Sequence, residues 1–121
     1  MIDEIVKRYG DFSDALIWRF SFESNVHSAS GKGSIEVLIN CMNHEGNFEW
    51  ERIILVFEEV LCFRFAENRR TSSVVVNAVM IKQEHDEIVF DFFPLILADG
   101  IAENPQSDLI IRCKRVKYTS V

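Results

Sequence analysis

Apolar and polar residues alternate along much of this chain. The clearest run interleaves Leu16, Trp18, Phe20 and Phe22 with Ile17, Arg19, Ser21 and Glu23. Because strand side chains point alternately to opposite faces, this period of two indicates a strand with one solvated face. Similar runs predict strands over residues 15–23, 34–42, 48–57, 61–65, 74–82, 88–92 and 108–118.

One short helix is predicted before the first strand. Ile2, Ile5, Val6 and Tyr9 recur at three- and four-residue spacing, which puts them on one helix face. Gly10 suits the C-terminal end of that helix. We therefore predict a helix over residues 2–9.

Polar, glycine-containing segments separate the predicted strands. Residues 24–34, 43–47, 67–73, 83–87 and 98–107 have loop composition, and Glu58-Glu59 interrupts an apolar run and predicts a break between two strands. Residues 95–97 are predicted to form a short edge piece after Pro94, which cannot donate to a sheet ladder. The pattern predicts a single α+β domain over 1–121: a mostly antiparallel β sandwich or half-barrel of about seven strands, with a short N-terminal helix.

The charge of the chain narrows the classes of partner. The formal net charge is −6, whereas nucleic-acid binding draws most of its affinity from Lys and Arg on phosphates. We therefore expect no nucleic-acid partner. An acidic balance favours fast encounter with basic partners.

Cysteine use and hydropathy indicate a cytoplasmic protein. Cys41, Cys62 and Cys113 are odd in number and lie in apolar strand-like runs, so we expect three buried free thiols in a reducing compartment. The N-terminus has no apolar core typical of a signal peptide, and no apolar stretch has the length of a membrane span. We expect no membrane association.

Motifs for catalysis or cofactor binding are weak in this sequence. His27, His44 and His85 fall in predicted loops, and Cys41-Met42-Asn43-His44 supplies only half of a structural zinc ligand set. Gly31-Lys32-Gly33-Ser34 lacks the spacing of a phosphate-binding loop and precedes a strand. We therefore expect no enzyme activity, no metal and no cofactor.

Clustered acidic residues and one tryptophan give the best candidate surface. Most of the Trp and Phe side chains, Trp18 and Phe22 among them, are expected in the core. Trp50 is the best candidate for a surface role because it lies between two glutamates near a hairpin loop, and a core position is its alternative. Solvated acidic groups are the commonest alternative. The predicted partner-binding residues are Glu49, Trp50, Glu51, Glu84, Asp86 and Glu87.

Two segments carry a family resemblance. Asp14-Ala15-Leu16-Ile17, after the predicted helix, resembles the Asp-Ala-x-Ile opening of several small β-rich bacterial families. The run from Leu55 to Val60, followed by Phe63, resembles their central strand pair. These families include immunity proteins of polymorphic toxin and contact-dependent inhibition systems, beside uncharacterised relatives. The resemblance implies a non-enzymatic cytosolic inhibitor of one toxin domain, and many such toxins are basic nucleases.

Two other classes of function remain open. A small-ligand-binding β domain would show a pocket lined by Phe and Trp with a few convergent polar groups. A structural or oligomerising module would pair through an exposed strand edge, for which residues 95–97 and 109–116 are the candidates. The leading hypothesis is the toxin inhibitor, with a protein partner.

Overall fold

The computed structural model describes residues 1–24, 31–67 and 75–121. Within them the chain forms one helix, α1, followed by eight strands. The bounds are α1 Ile2–Tyr9, β1 Leu16–Glu23, β2 Ser34–Asn43, β3 Glu49–Phe65, β4 Met80–Glu84, β5 Glu87–Asp91, β6 Leu95–Leu97, β7 Gly100–Ala102 and β8 Leu109–Ser120.

The strands form one large antiparallel sheet and one small one. The six-stranded sheet has the order β1-β2-β3-β8-β5-β4, and β6 pairs with β7 in a separate hairpin. The predicted antiparallel β-rich fold with a short N-terminal helix is confirmed. The large sheet is not closed, and the sandwich arrangement stays a prediction.

The helix has the predicted bounds. Ile5 and Tyr9 are buried against the sheet, and the N–H of Gly10 donates to the carbonyl of Val6. Gly10 has a φ of 61°, and a Cβ there would lie 2.6 Å from the His44 ring. Glycine therefore both permits the backbone turn and leaves room for the loop that follows β2.

The alternation in β1 is broken by a bulge. Ile17 pairs with Ile39, but Arg19, not Trp18, pairs with Leu38. The extra residue shifts the period by one, so both Ile17 and Phe20 face the core while Trp18 is 56% exposed. The predictions that Leu16, Trp18, Phe20 and Phe22 share one face and that Trp18 is in the core are wrong.

The predicted break at Glu58-Glu59 is also wrong. β3 runs without interruption for 17 residues. Glu59 has a φ of 52°, and the pairing of β3 with β8 shifts register between Val60 and Cys62. The two glutamates mark an irregularity within one strand, where Arg115 of β8 lies 2.6 Å from Glu59.

Three smaller expectations need correction. Residues 75–79 are not a strand, although Val75 makes a single bridge to Leu16, and Ser72 and Val74 lie outside the described residues. The predicted loop 98–107 contains β7. Residues 109–116 are not a sheet edge, because β8 pairs with β3 on one side and β5 on the other.

The core is aliphatic with a central aromatic cluster. Phe57 packs edge-on against Phe90 at 5.1 Å between ring centroids, and Phe92 lies beside both rings. Cys41 and Cys113 are buried as expected, but Cys62 is exposed, because the register shift beside it turns its side chain outward. Phe22 is exposed as well.

Candidate functional site

The three predicted site residues of β3 divide between the two faces of the sheet. Glu51 shares the inner face with buried Ile53, whereas Trp50 points outward and is 47% exposed. Glu51 is half-buried and accepts hydrogen bonds from the Tyr9 hydroxyl at 2.6 Å and from Asn43 at 3.3 Å. Glu49 is exposed. Glu51 thus holds α1 and the loop after β2 in place, and burial together with Glu51 raises the pKa of Tyr9.

The other three predicted residues lie at the turn between β4 and β5. Asp86 is exposed and lies 3.3 Å from Lys114, which lowers the pKa of its carboxyl group. Glu84 is exposed and lies 3.2 Å from Lys82, and Glu87 is half-buried. Two of these three carboxylates therefore already have cationic neighbours within the chain.

The structure does not bring the two acidic groups together. Ile88 of β5 pairs with Cys113 of β8, which in turn pairs with Val60 of β3. Val60 lies nine positions beyond Glu51, which corresponds to about 30 Å of strand. The six residues therefore do not form one continuous contact patch.

Trp50 belongs instead to an apolar strip on the outer face of the sheet. Its cross-strand partner is Met42, and the pair Leu38 and Ile54 lies further along the same face. Leu38, Met42 and Ile54 are half-buried and do not belong to the core cluster. We define the outer strip as Trp18, Leu38, Met42, Trp50, Arg52 and Ile54.

An arginine of this strip contacts one of its two tryptophans. The Arg52 guanidinium lies 4.3 Å from the centre of the Trp18 ring, within the range of a cation–π contact. Arg52 is two positions from Trp50 and therefore on the same face of β3. Arg52 thus places a positive charge over the face of the exposed Trp18 ring.

Sequence reasoning proposed a surface role for Trp50, with a core position as the alternative, and missed the exposure of Trp18. The signal for Trp18 was the apolar residue before it, because neighbouring residues of a strand lie on opposite faces and Ile17 was an equally good candidate for the core.

Two clefts among the described residues differ from the aromatic pocket expected for a small-ligand-binding domain. One, of about 360 Å³, lies between the start of α1 and β8 and is lined by Ile2, Ile88 and cationic side chains from Lys114 to Lys117. Another, of about 230 Å³, is lined by Cys62, Phe63, Arg64 and Arg112 among others. Phe63 is the one aromatic side chain among the residues that line these two clefts.

The histidines take different places. The His44 ring lies 5.3 Å from the Phe48 ring, and the His44 N–H donates to the Arg8 carbonyl at 2.7 Å. His85 lies in the turn between β4 and β5, and His27 is outside the described residues.

Across residues 1–24, 31–67 and 75–121, no three His, Cys, Asp or Glu side chains are grouped so as to hold a metal ion. In that same part of the chain, no helix has the length and apolar character to cross a membrane.

Comparisons with known proteins found no relative. The chain matches no protein-family model, no curated protein and no solved structure. The resemblance to immunity proteins stays a prediction from the residues.

Proposed function

We propose that this chain is a non-enzymatic cytoplasmic inhibitor of the immunity type, which binds a cognate toxin domain through the outer strip. The observation that carries the proposal is a pair of exposed tryptophans on the outer face, one of which, Trp18, is in cation–π contact with Arg52. Trp and Arg are enriched among the residues that contribute most to protein–protein affinity. Neighbouring Leu38, Met42 and Ile54 offer an apolar surface around them.

The acidic residues have a separate role in this proposal. A net charge of −6 attracts a basic toxin domain over distances longer than a contact, which accelerates encounter. Exposed Glu49 and Glu84 contribute to that field without belonging to the outer strip. The strip then controls how slowly the complex dissociates.

The experiment begins with affinity capture from a lysate of the source organism. The wild-type chain is compared with Trp18→Ala/Trp50→Ala and with Val6→Ala, a matched control because Val6 is an exposed apolar residue on α1. A captured protein is then purified and expressed in cells with and without this chain. The proposal requires a one-to-one complex whose partner is toxic alone and harmless with this chain.

Binding kinetics separate the two roles. Trp18→Ala/Trp50→Ala is expected to raise the dissociation rate about 30-fold or more, because hot-spot truncations cost about 2 kcal/mol or more. Glu49→Lys/Glu84→Lys is expected to lower the association rate at low salt, with less effect on dissociation. A partner that is harmless to cells would refute the proposal. The proposal would also fail if the Trp18→Ala/Trp50→Ala variant bound the partner as tightly as the Val6→Ala control does.

A further inference from the structure

A cleft of about 230 Å³ lies between the C-terminal part of β3, the first part of β8 and residues 103–105. Across the two strands, Cys62 pairs with Arg112 and Arg64 pairs with Ile110. Cys62 and Arg64 are two positions apart, so all four side chains lie on the same face of the sheet. They are exposed or half-buried, and together they form the floor of the cleft.

One wall of the cleft is fixed to the core of the protein. The backbone N–H of Asn104 donates to the carboxylate of Asp91 at 2.8 Å, and Asp91 is completely buried. The Asn104 side chain donates to the Phe93 carbonyl at 3.0 Å. Because this wall is already ordered, a ligand that binds against it loses less free energy to conformational ordering.

The two arginines of the cleft differ in their charged neighbours. Arg112 forms an ion pair with Glu103, which also lies 3.8 Å from Lys82. Arg64 forms no ion pair within the described part of the chain, although the whole chain has 19 Asp and Glu residues against 13 Lys and Arg residues. A guanidinium presents parallel N–H donors that match the two oxygens of a carboxylate. Arg64 is therefore the cation of the cleft to which an anion can bind without displacing a carboxylate of the chain.

Apolar side chains complete the cleft. Phe63, Pro105 and Ile110 all line it. Binding sites for small molecules combine such apolar walls with a few polar groups that fix the orientation of the ligand. The volume is below the roughly 300–1,000 Å³ of sites for drug-sized ligands, so the cleft suits a smaller molecule.

We infer that this cleft binds a small organic anion with an apolar body, of which an aromatic monocarboxylate is the simplest example. The carboxylate pairs with Arg64, and the apolar body lies against Ile110 and Pro105. Glu103 already neutralises Arg112 and repels a second negative charge, so the site favours a ligand with one carboxylate over a ligand with two. The cleft uses no residue of the outer strip, so it can be tested independently of the toxin-inhibitor proposal.

Benzoate is the probe, and the thiol of Cys62 reports its binding. Cys41 and Cys113 are buried, so Cys62 is the cysteine expected to react with iodoacetamide in the folded protein. Benzoate is expected to slow this reaction in a saturable way, with half of the effect at about 1 mM, because a bound ligand covers the floor of the cleft. Mass spectrometry of the intact protein measures the rate.

Two ligand controls separate the charge from the apolar body. Benzamide has the ring without the charge, and acetate has the charge without the ring. At constant ionic strength, each is expected to need a concentration about 10-fold higher or more for the same protection of Cys62. Equal protection by benzoate and benzamide would show that no anion site exists in the cleft.

Two arginine variants locate the anion. Arg64→Met removes the guanidinium but keeps an unbranched side chain, and it is expected to raise the benzoate concentration for half-protection about 10-fold or more. Arg19→Met is the matched control, because Arg19 is likewise exposed and forms no ion pair among the described residues, but lies on β1. Circular dichroism checks that both variants fold.

NMR chemical shifts give a second readout that does not depend on the thiol. Benzoate is expected to shift the amide resonances of residues 62–64, 103–105 and 110–112. The inference is overturned if benzoate neither protects Cys62 nor shifts these resonances. It is also overturned if Arg64→Met responds to benzoate as Arg19→Met does.

Discussion

Asp91 is a carboxylate that the fold buries completely. The alternation of Ile88, Phe90 and Phe92 around it predicted a polar face for β5, yet Asp91 has no exposed surface. Burial of an ionised group is costly unless hydrogen bonds replace its water. The backbone N–H groups of Phe93 and Asn104 supply those bonds and tie the chain before β6 to the chain after β7.

Substitution of Asp91 is expected to destabilise the protein, and more so the more hydrogen-bond acceptors the new side chain lacks. Asp91→Ala removes the acceptor of two half-buried N–H donors, at a cost of about 3 kcal/mol in the free energy of unfolding, and Asp91→Asn keeps one acceptor at a cost of about 1–2 kcal/mol. Urea unfolding measures both. Asp99→Ala, exposed in the hairpin turn, is the control and should change stability by less than about 0.5 kcal/mol. Equal stability of Asp91→Ala and Asp99→Ala would show that the two hydrogen bonds are unimportant.

Among the strands, β3 joins the two halves of the large sheet. Its first part pairs with β2 from Glu49 to Phe57, and its later part pairs only with β8. The change coincides with Glu59, whose positive φ is unfavourable for any residue with a Cβ. The backbone conformation at Glu59 thus accompanies the change in the pairing of β3.

Two substitutions at Glu59 isolate this backbone effect. Both Glu59→Gly and Glu59→Val remove the ion pair with Arg115, so its loss does not contribute to the difference between them. Glycine adopts positive φ freely, whereas a β-branched side chain is strained there, and we expect Glu59→Val to be less stable by about 2 kcal/mol. Chemical denaturation gives the comparison. Indistinguishable stabilities would mean that the strand relaxes to another conformation.

The limits of prediction from sequence follow from these elements. α1 and β2 were predicted with nearly correct bounds, because their apolar periodicity is uninterrupted. Glu58-Glu59 looked like a break because the cross-strand partner Arg115 is 56 residues away and invisible to a local pattern. The acidic neighbours of Trp50 indicated a surface role but left a core position open. The exposure of Trp18 depends on a one-residue bulge, which the local alternation does not reveal.

Alkaline pH is expected to lower the stability of the whole molecule, because titratable groups are buried in different parts of its core. Burial raises the pKa of Cys41 and of Cys113 to about 12, from an ordinary value of 9.0, and the pKa of Tyr9 is raised as well. A raised pKa in the folded state means that the unfolded chain loses its protons first. Stability is therefore fully present below pH 9 and is lost as the pH rises toward 12.

The free energy of unfolding is expected to fall between pH 9 and pH 11, by at most about 1.4 kcal/mol per pH unit for each group. Urea unfolding at several pH values measures the slope. Cys113→Ala should show a shallower decline than wild type, whatever its stability at neutral pH, because one of the titrating groups is gone. Cys62→Ala removes an exposed thiol and controls for loss of a cysteine. If the free energy of unfolding fell with the same slope in wild type and Cys113→Ala, Cys113 would not contribute to the loss of stability at alkaline pH.

The position of β8 at the middle of the large sheet has a consequence for synthesis on the ribosome. β8 follows every other described strand in the chain, yet β3 and β5 both pair with it. While the chain is being translated, β1–β3 and the β4–β5 hairpin emerge as two separate units, each with an unpaired edge. Pairings such as Ile53 with Ser120 form only when β8 has emerged, and such long-range pairing makes folding slow. Until then β3 exposes a long, largely apolar edge, and the nascent chain is most prone to aggregation or chaperone binding.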